Sequence, residues 1–297
     1  MRSVFQYVRP ASLDEAIQWL AANASETVVF AGGTDLMPAM RKGEISCSYV
    51  LDISRLDELK VIGLENDCLV IGAGVTYTDI VENDVIREQA PTIAAAARCV
   101  GSEQIRNVGT LGGNVGNASP AADSIPALMV HNATVEIVRS GVIQTRPLAE
   151  IILGPYHTSL MPGDLITKFY LEPLPAPYRT VYQRIGRRRA MAISRINLAA
   201  AVLIDSQGAI SDFRMCIGSM TPQPYRASSV ETMLVGKTPN RTIIVDAARL
   251  ASQDMIKRSG VRSSTEYKKP AAEGLIIRSL CELFAIDMGE DDKQCEP

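Results

Sequence analysis

Apolar residues recur along this chain with two periods, and the switches between them outline its elements. Leu13, Ala16, Ile17, Leu20 and Ala21 fall three and four residues apart, on one face of a helix. Ser12 stands before that face and Glu15 three residues after Ser12, the order of a capping box. Thr27 to Ala31 is a short apolar run, read as a strand that enters Gly32-Gly33-Thr34-Asp35. A helix from about Leu36 to Lys42 and a strand from Tyr49 to Ile53 complete a β-α-β alternation, in which cofactor loops follow strand ends.

The next stretch changes character. Leu59 to Leu64 and Cys68 to Ala73 predict strands around the turn Glu65-Asn66-Asp67. Helices are expected near Thr78 to Asn83 and Ala90 to Val100, followed by a long glycine-rich loop from Gly101 to Ala122. A helix near Asp123 to Val130, a hairpin at Val135 to Thr145 and an alternating strand at Leu165 to Leu171 complete this part. Pro173, Pro175 and Pro177 then break both helix and sheet, and mark a boundary between lobes. Beyond it, Thr180 to Ile185, Ile196 to Asp205 and Ala209 to Ile217 read as a small antiparallel sheet, with Ser206-Gln207-Gly208 as a hairpin turn. Three helices follow, near Ala227 to Val235, Thr242 to Lys257 and Ala271 to Ile286. The whole is of the α+β class. We divide it into 1–175, with halves of about 1–57 and 58–175, then 178–288, then a frayed polar tail at 289–297.

At 297 residues the chain is long for a single core, in keeping with two lobes. Basic residues number 30 and acidic residues 33, a balance that argues against a nucleic-acid partner. The longest apolar run, about Leu198 to Ile204, is too short to span a bilayer, so no membrane association and a cytoplasmic location are expected. The 6 cysteines form no C-x-x-C pair, and only 2 histidines, His131 and His157, are present. A metal site or a histidine-based triad is hard to assemble from that stock.

Two segments remain as candidate chemistry. In Ala31-Gly32-Gly33-Thr34-Asp35 a glycine pair lets the backbone turn sharply and aim successive N–H groups at an anion. A following helix start adds its positive end, which suits a pyrophosphate; Gly-Gly after a strand is equally an ordinary turn. From Gly109 to Asp123 four glycines are interleaved with Thr110, Asn114, Asn117 and Ser119, pairing close backbone approach with short hydrogen-bonding side chains. Asp123 is a candidate acceptor for ribose or ribityl hydroxyls. A long ordered glycine loop inside a compact domain is usually functional. No G-x-G-x-x-G opens a βα unit and no Walker loop is present, which disfavours a Rossmann-type site.

Together the two segments resemble the FAD-binding subunit of the molybdenum hydroxylases, the xanthine dehydrogenase and carbon monoxide dehydrogenase flavoprotein family. The resemblance takes in Tyr7-x-Arg9-Pro10 and the residues up to Ala16, Ala31 to Leu36, Gln104 to Asn114, Ala118 to Asp123, and Arg188 to Ser194. It implies the two-subdomain FAD-binding fold of the vanillyl-alcohol oxidase type, followed by a small sheet-and-helix C-terminal domain. By position, Val29, Phe30, Ala31, Gly32, Gly33, Thr34, Asp35 and Leu36 would wrap the FAD pyrophosphate. Thr110, Leu111, Gly112, Gly113 and Asn114 would line the other side of the cofactor. Asn117 and Asp123 would hold its polar middle, Val100 its adenine end, and Leu160 an apolar contact. Arg184 falls where relatives often carry lysine, and Gly186 to Ile193 would lie near the isoalloxazine ring. Arg187-Arg188-Arg189 there is either a solvated basic turn or a positive field acting on the flavin or an anionic acceptor.

The resemblance further implies a 2Fe–2S subunit that delivers electrons, a molybdenum-cofactor subunit that oxidises the substrate, and NAD or another acceptor. FAD would be this chain's only cofactor, and no side chain is required as acid or base. Xanthine or a related purine is the preferred substrate of the whole complex, with nicotinate, other N-heterocycles, aldehydes and carbon monoxide as alternatives. A self-contained flavin reductase and a non-catalytic scaffold are the competing classes.

Overall fold

The computed structural model describes residues 5–188 and 191–287; Arg189 and the tail expected at 289–297 lie outside them. Gln6–Val8, Thr27–Phe30 and Tyr49–Asp52 form a parallel sheet with Tyr49–Asp52 in the middle. The strand Gln6–Val8 has no apolar alternation to announce it. Side chains hold it instead: the Tyr7 hydroxyl and the Arg9 guanidinium both donate to the buried carboxylate of Asp52, with Arg9 Nη2 at 2.9 Å. Helix Leu13–Asn23 lies beside this sheet and is capped by Ser12, whose hydroxyl accepts from the Glu15 N–H at 3.2 Å. The Glu15 carboxylate reaches past Ser12 to the Ala11 N–H at 2.7 Å, so the return half of the expected capping box is displaced by one residue.

A second, five-stranded antiparallel sheet follows, in the order Ile62–Glu65, Cys68–Gly72, Leu165–Leu171, Thr134–Arg139, Val142–Pro147. Asn66 and Asp67 turn its first hairpin with φ of 48° and 63°, the left-handed pair that a two-residue type I′ turn needs. Phe169, Leu69 and Ile71 of the central strands pack into one core with Ile93 of helix Pro91–Cys99 and Leu128 of helix Ser124–Val130.

The chain then builds a four-stranded antiparallel sheet from Arg179–Gly186, Ser194–Ile204, Ile210–Gly218 and Tyr225–Arg226. Its second strand is buried on both faces. Leu198, Ala200 and Val202 face a core shared with helices Arg241–Ser259 and Thr265–Phe284, whereas Ala199 and Ala201 face the core of the preceding sheet. A strand covered on both sides reads as a continuous apolar run, which is what Leu198 to Ile204 is.

Two expectations are corrected. The stretch 101–122 is not one loop: it contains helices Glu103–Arg106 and Leu111–Asn117. Ser102 and Thr110 cap them through side-chain oxygens that accept from the N–H groups of Ile105 and Gly113. Glycine composition masked a helix that is favoured by its cap and by packing rather than by intrinsic propensity. The last helix begins at Thr265, ahead of Pro270, rather than at Ala271. Pro270, the sixth residue of this helix, removes one backbone hydrogen bond without ending it.

Candidate functional site

The C-terminal end of strand Thr27–Phe30 and the start of helix Leu111–Asn117 meet across a cleft of about 700 Å³. The contact that brings them together is made by backbone. A Cβ on Gly32 would lie 1.9 Å from the Val108 carbonyl oxygen, so only glycine permits the first segment to rest on the second. The second segment is itself clamped to residues 73–77. Gly112 N–H donates to Ala73 O at 2.8 Å, Leu111 N–H to Val75 O at 3.0 Å, and Tyr77 N–H to Gly109 O at 3.0 Å. A Cβ on Gly112 would come within 2.6 Å of Ala73 Cβ, which forbids a side chain there as well.

The two segments differ in what they offer a ligand. The amides of Gly32, Gly33, Thr34 and Asp35 have no acceptor among the described residues, and all four residues line the cleft. Successive unspent N–H groups on a turning backbone form a concavity that binds anions. Gly33, at φ 68°, supplies the left-handed turn, and the Phe30 ring lies directly beneath it. The amides of Leu111, Gly112, Gly113 and Asn114 are all spent on Val75, Ala73 and Thr110. This segment therefore contributes a close, side-chain-poor wall together with the polar ends of Asn114 and Asn117, which also line the cleft. Its lining residues include Asp35, Asp123 and Asp164 but, among the described residues, no lysine, arginine or histidine. Among these residues, a bound phosphate would be met by N–H groups. Burial raises the Asp35 carboxyl above its ordinary value.

Most residues singled out from the sequence come together here. Val29, Ala31 to Leu36, Val100, Thr110, Gly112 to Asn114, Asn117, Asp123 and Leu160 all line the cleft. Phe30, Leu111 and Arg184 do not. Phe30 supports Gly33 from below, and Leu111 is fully buried in the core. Arg184 sits behind the wall, with Nη1 donating to Ala192 O at 3.0 Å and facing Asp123 Oδ2 at 3.4 Å.

Asp123 is also not the free acceptor that its sequence position suggested. Its Oδ1 accepts from the Tyr182 hydroxyl at 2.7 Å, the Ser194 hydroxyl at 2.6 Å and Asn197 Nδ2 at 3.4 Å. All three donors come from the C-terminal sheet. Burial, and then the neighbouring Asp123 charge, push the Tyr182 phenol well above its usual range, so it stays protonated as a donor.

Sequence reading missed Tyr77 and Tyr156. Tyr77 lines the inner cleft, fully buried, at the start of a helix whose Thr76–Asp79 capping box was a legible signal. Tyr156 stands at the mouth, 69% exposed with φ 56°, after a Gly-Pro turn that gave only a hint.

A cleft with a turn of unspent amides at one end, walled by glycine and bordered by a separate sheet-and-helix unit, has the make-up of a nucleotide-binding site. The family follows from its likeness to known proteins. Residues 3–174 match the FAD binding domain in molybdopterin dehydrogenase, and residues 181–283 match the CO dehydrogenase flavoprotein C-terminal domain. The chain belongs to the FAD-binding subunits of the molybdenum hydroxylases, and FAD is its cofactor.

Among its relatives is the glyceraldehyde dehydrogenase medium chain of Sulfolobus acidocaldarius, 32% identical over 94% of this chain and 98% of the relative. Another is the putative xanthine dehydrogenase FAD-binding subunit of Escherichia coli K12, 29% identical over 96% of this chain and 97% of that one. In fold the chain is similar to a carbon monoxide dehydrogenase from Hydrogenophaga pseudoflava, with a TM-score of 0.89 at 24% identity, covering 96% of this chain and 99% of that one. Among the described residues no helix is long and apolar enough to cross a membrane, and no three His, Cys, Asp or Glu side chains are grouped to hold a metal ion.

Proposed function

We propose that this chain carries FAD as the electron-transfer subunit of a three-part molybdenum hydroxylase. Its partners are a 2Fe–2S subunit and a molybdenum-cofactor subunit, and NAD or another acceptor receives the electrons. The observation that carries this reading is the run of four unspent amides at 32–35, facing a cleft walled by Gly112 and Gly113. These N–H groups hold the pyrophosphate, Thr110 to Asn114 flank the cofactor from the other side, and Asn117 contacts its polar middle. Val100 lies beside its adenine end, and Leu160 gives an apolar contact. FAD exchanges electrons singly or in pairs, so it can join one-electron iron–sulfur carriers to a two-electron acceptor. The protein's task is to bind, orient and shield this group; none of the cleft's side chains has to move a proton. The chain divides functionally into 1–175, which holds the cofactor, and 178–288, which closes the site. It works in the cytoplasm.

Xanthine or a related purine is the substrate we assign first to the whole complex. The 32% identity to a glyceraldehyde dehydrogenase chain favours an aldehyde as the second reading. Substrate binds on the molybdenum partner, so a substrate panel on the native complex separates the two. Purification of that complex, followed by metal and flavin analysis, tests the rest. Molybdenum, iron and FAD together are expected. A native protein that purifies alone, free of molybdenum and iron, refutes the assembly.

A further inference from the structure

Arg184 was expected to touch the cofactor, yet it points elsewhere. Its side chain is 13% exposed and does not line the cleft. One nitrogen, Nη1, donates to the carbonyl oxygen of Ala192 at 3.0 Å and faces the Asp123 carboxylate at 3.4 Å. Ala192 belongs to the connection between strands Arg179–Gly186 and Ser194–Ile204, and Met191, Ala192, Ile193 and Ser194 all form part of the cleft wall.

Ser194, at the end of this wall, is itself tied to Asp123 by its hydroxyl and paired with Gly186; among the described residues, the side chains before it are held less firmly. Met191 and Ile193 are 58% and 80% exposed, so packing does not fix them. Arg188 bonds to the Met191 carbonyl, but Arg188 is itself exposed and lies within the same connection. Asp123, in contrast, is buried and held by Tyr182, Ser194 and Asn197. Arg184 thus extends the link to this anchor from Ser194 back to Ala192, between two side chains that packing does not fix.

Resting on the proposed FAD site, we infer that Arg184 is a positioning residue: it latches the 191–193 wall over the flavin by tying Ala192 to Asp123, and does not bind the cofactor itself. A charged donor shared between a carboxylate and a carbonyl is a strong tether in a site shielded from water. Losing it opens the wall locally, while the Tyr182, Ser194 and Asn197 bonds to Asp123 stay in place.

The test compares wild type, Arg184→Met and Arg184→Lys in the assembled complex. Hydrogen exchange is followed at residues 191–193 and, as a gauge of general stability, in helix Arg241–Ser259; quenching of flavin fluorescence by iodide reports shielding. In Arg184→Met, exchange at 191–193 should rise about tenfold, equivalent to about 1.4 kcal/mol of opening free energy, with the helix unchanged. Iodide quenching should rise with it, and Arg184→Lys, which keeps a cationic donor, should restore both. Unchanged exchange at 191–193 overturns the latch, as does acceleration that appears equally in the helix. Faster local exchange with unaltered quenching overturns its role over the flavin. A wild-type complex that contains no FAD refutes the cofactor assignment separately, and leaves the exchange comparison valid.

Discussion

Replacing Gly113 with alanine separates cofactor binding from folding. Gly113 lies in the first turn of helix Leu111–Asn117, and a Cβ there would meet only Thr110 Oγ1, at 2.9 Å. That oxygen caps the helix by accepting from the Gly113 N–H at 3.1 Å, and shifting it costs up to about 1 kcal/mol. Alanine in place of glycine returns roughly 1 kcal/mol through helix propensity. The two nearly cancel, so the thermal midpoint should move by no more than about 2–4 °C.

Gly113 also lines the cleft, so in the proposed FAD site the new methyl would stand in the way of the cofactor. Overpacking of this kind costs about 1–3 kcal/mol, a loss of roughly 5- to 150-fold in FAD affinity. The assay is FAD per chain by visible absorbance after extensive dialysis, alongside calorimetry. Gly32→Ala is the contrasting variant: its Cβ would strike the Val108 carbonyl oxygen at 1.9 Å, so fold and flavin should be lost together. A folded Gly113→Ala protein that retains FAD with wild-type affinity would refute the reasoning.

Other outcomes follow from the same geometry. His131 is fully buried, its Nδ1 donating to Glu172 O at 2.8 Å and its Nε2 accepting from Thr92 Oγ1 at 2.8 Å; burial lowers its pKa from 6.5 to about 4. The unfolded chain therefore takes up this proton first, and stability falls as pH drops from 6.5 towards 4, by roughly 3 kcal/mol in all. Urea unfolding at several pH values should show a slope over that window that His131→Gln lacks; equal slopes in both proteins would exclude the assignment. Ser194→Ala removes a 2.6 Å bond to buried Asp123 and should destabilise the protein by about 1.5–3 kcal/mol, read by denaturant midpoint. The isolated chain should bind added FAD and turn yellow, yet oxidise neither xanthine nor glyceraldehyde; turnover without partners would contradict the division of labour.

Much of this was legible in the residues, for reasons that differ by element. Leu36–Lys42 and Leu165–Leu171 have the bounds expected of them, because each carries a clear period and a sharp stop. Helix Leu111–Asn117 was not legible: its residues have poor helix propensity, and its start is set by Thr110 and by long-range bonds to Ala73 and Val75. The site divides along the same line. Gly33 acts through its own left-handed backbone at φ 68°, which a Gly-Gly pair announces, whereas Gly32 is required by the distant Val108 carbonyl, which no local pattern shows. The placement of Asp123 and Arg184 depends on strands that return about 60 residues later, as the separations of Asp123 from Tyr182 and Arg184 record. No local pattern encodes such a meeting. Tyr77 escaped notice because a tyrosine at the start of a capped helix is ordinary until the fold turns it into the cleft.

The contact of Gly32 with the Val108 carbonyl has a consequence for how such chains can be recombined. The anion-binding turn and the wall opposite it are not exchangeable modules, because each is shaped to the other's backbone at a point that tolerates no added atom. A hybrid that takes residues 1–57 from one relative and the rest from another inherits a working cleft only if the donor backbones agree at this junction to within a few tenths of an ångström. These two short segments can change only together.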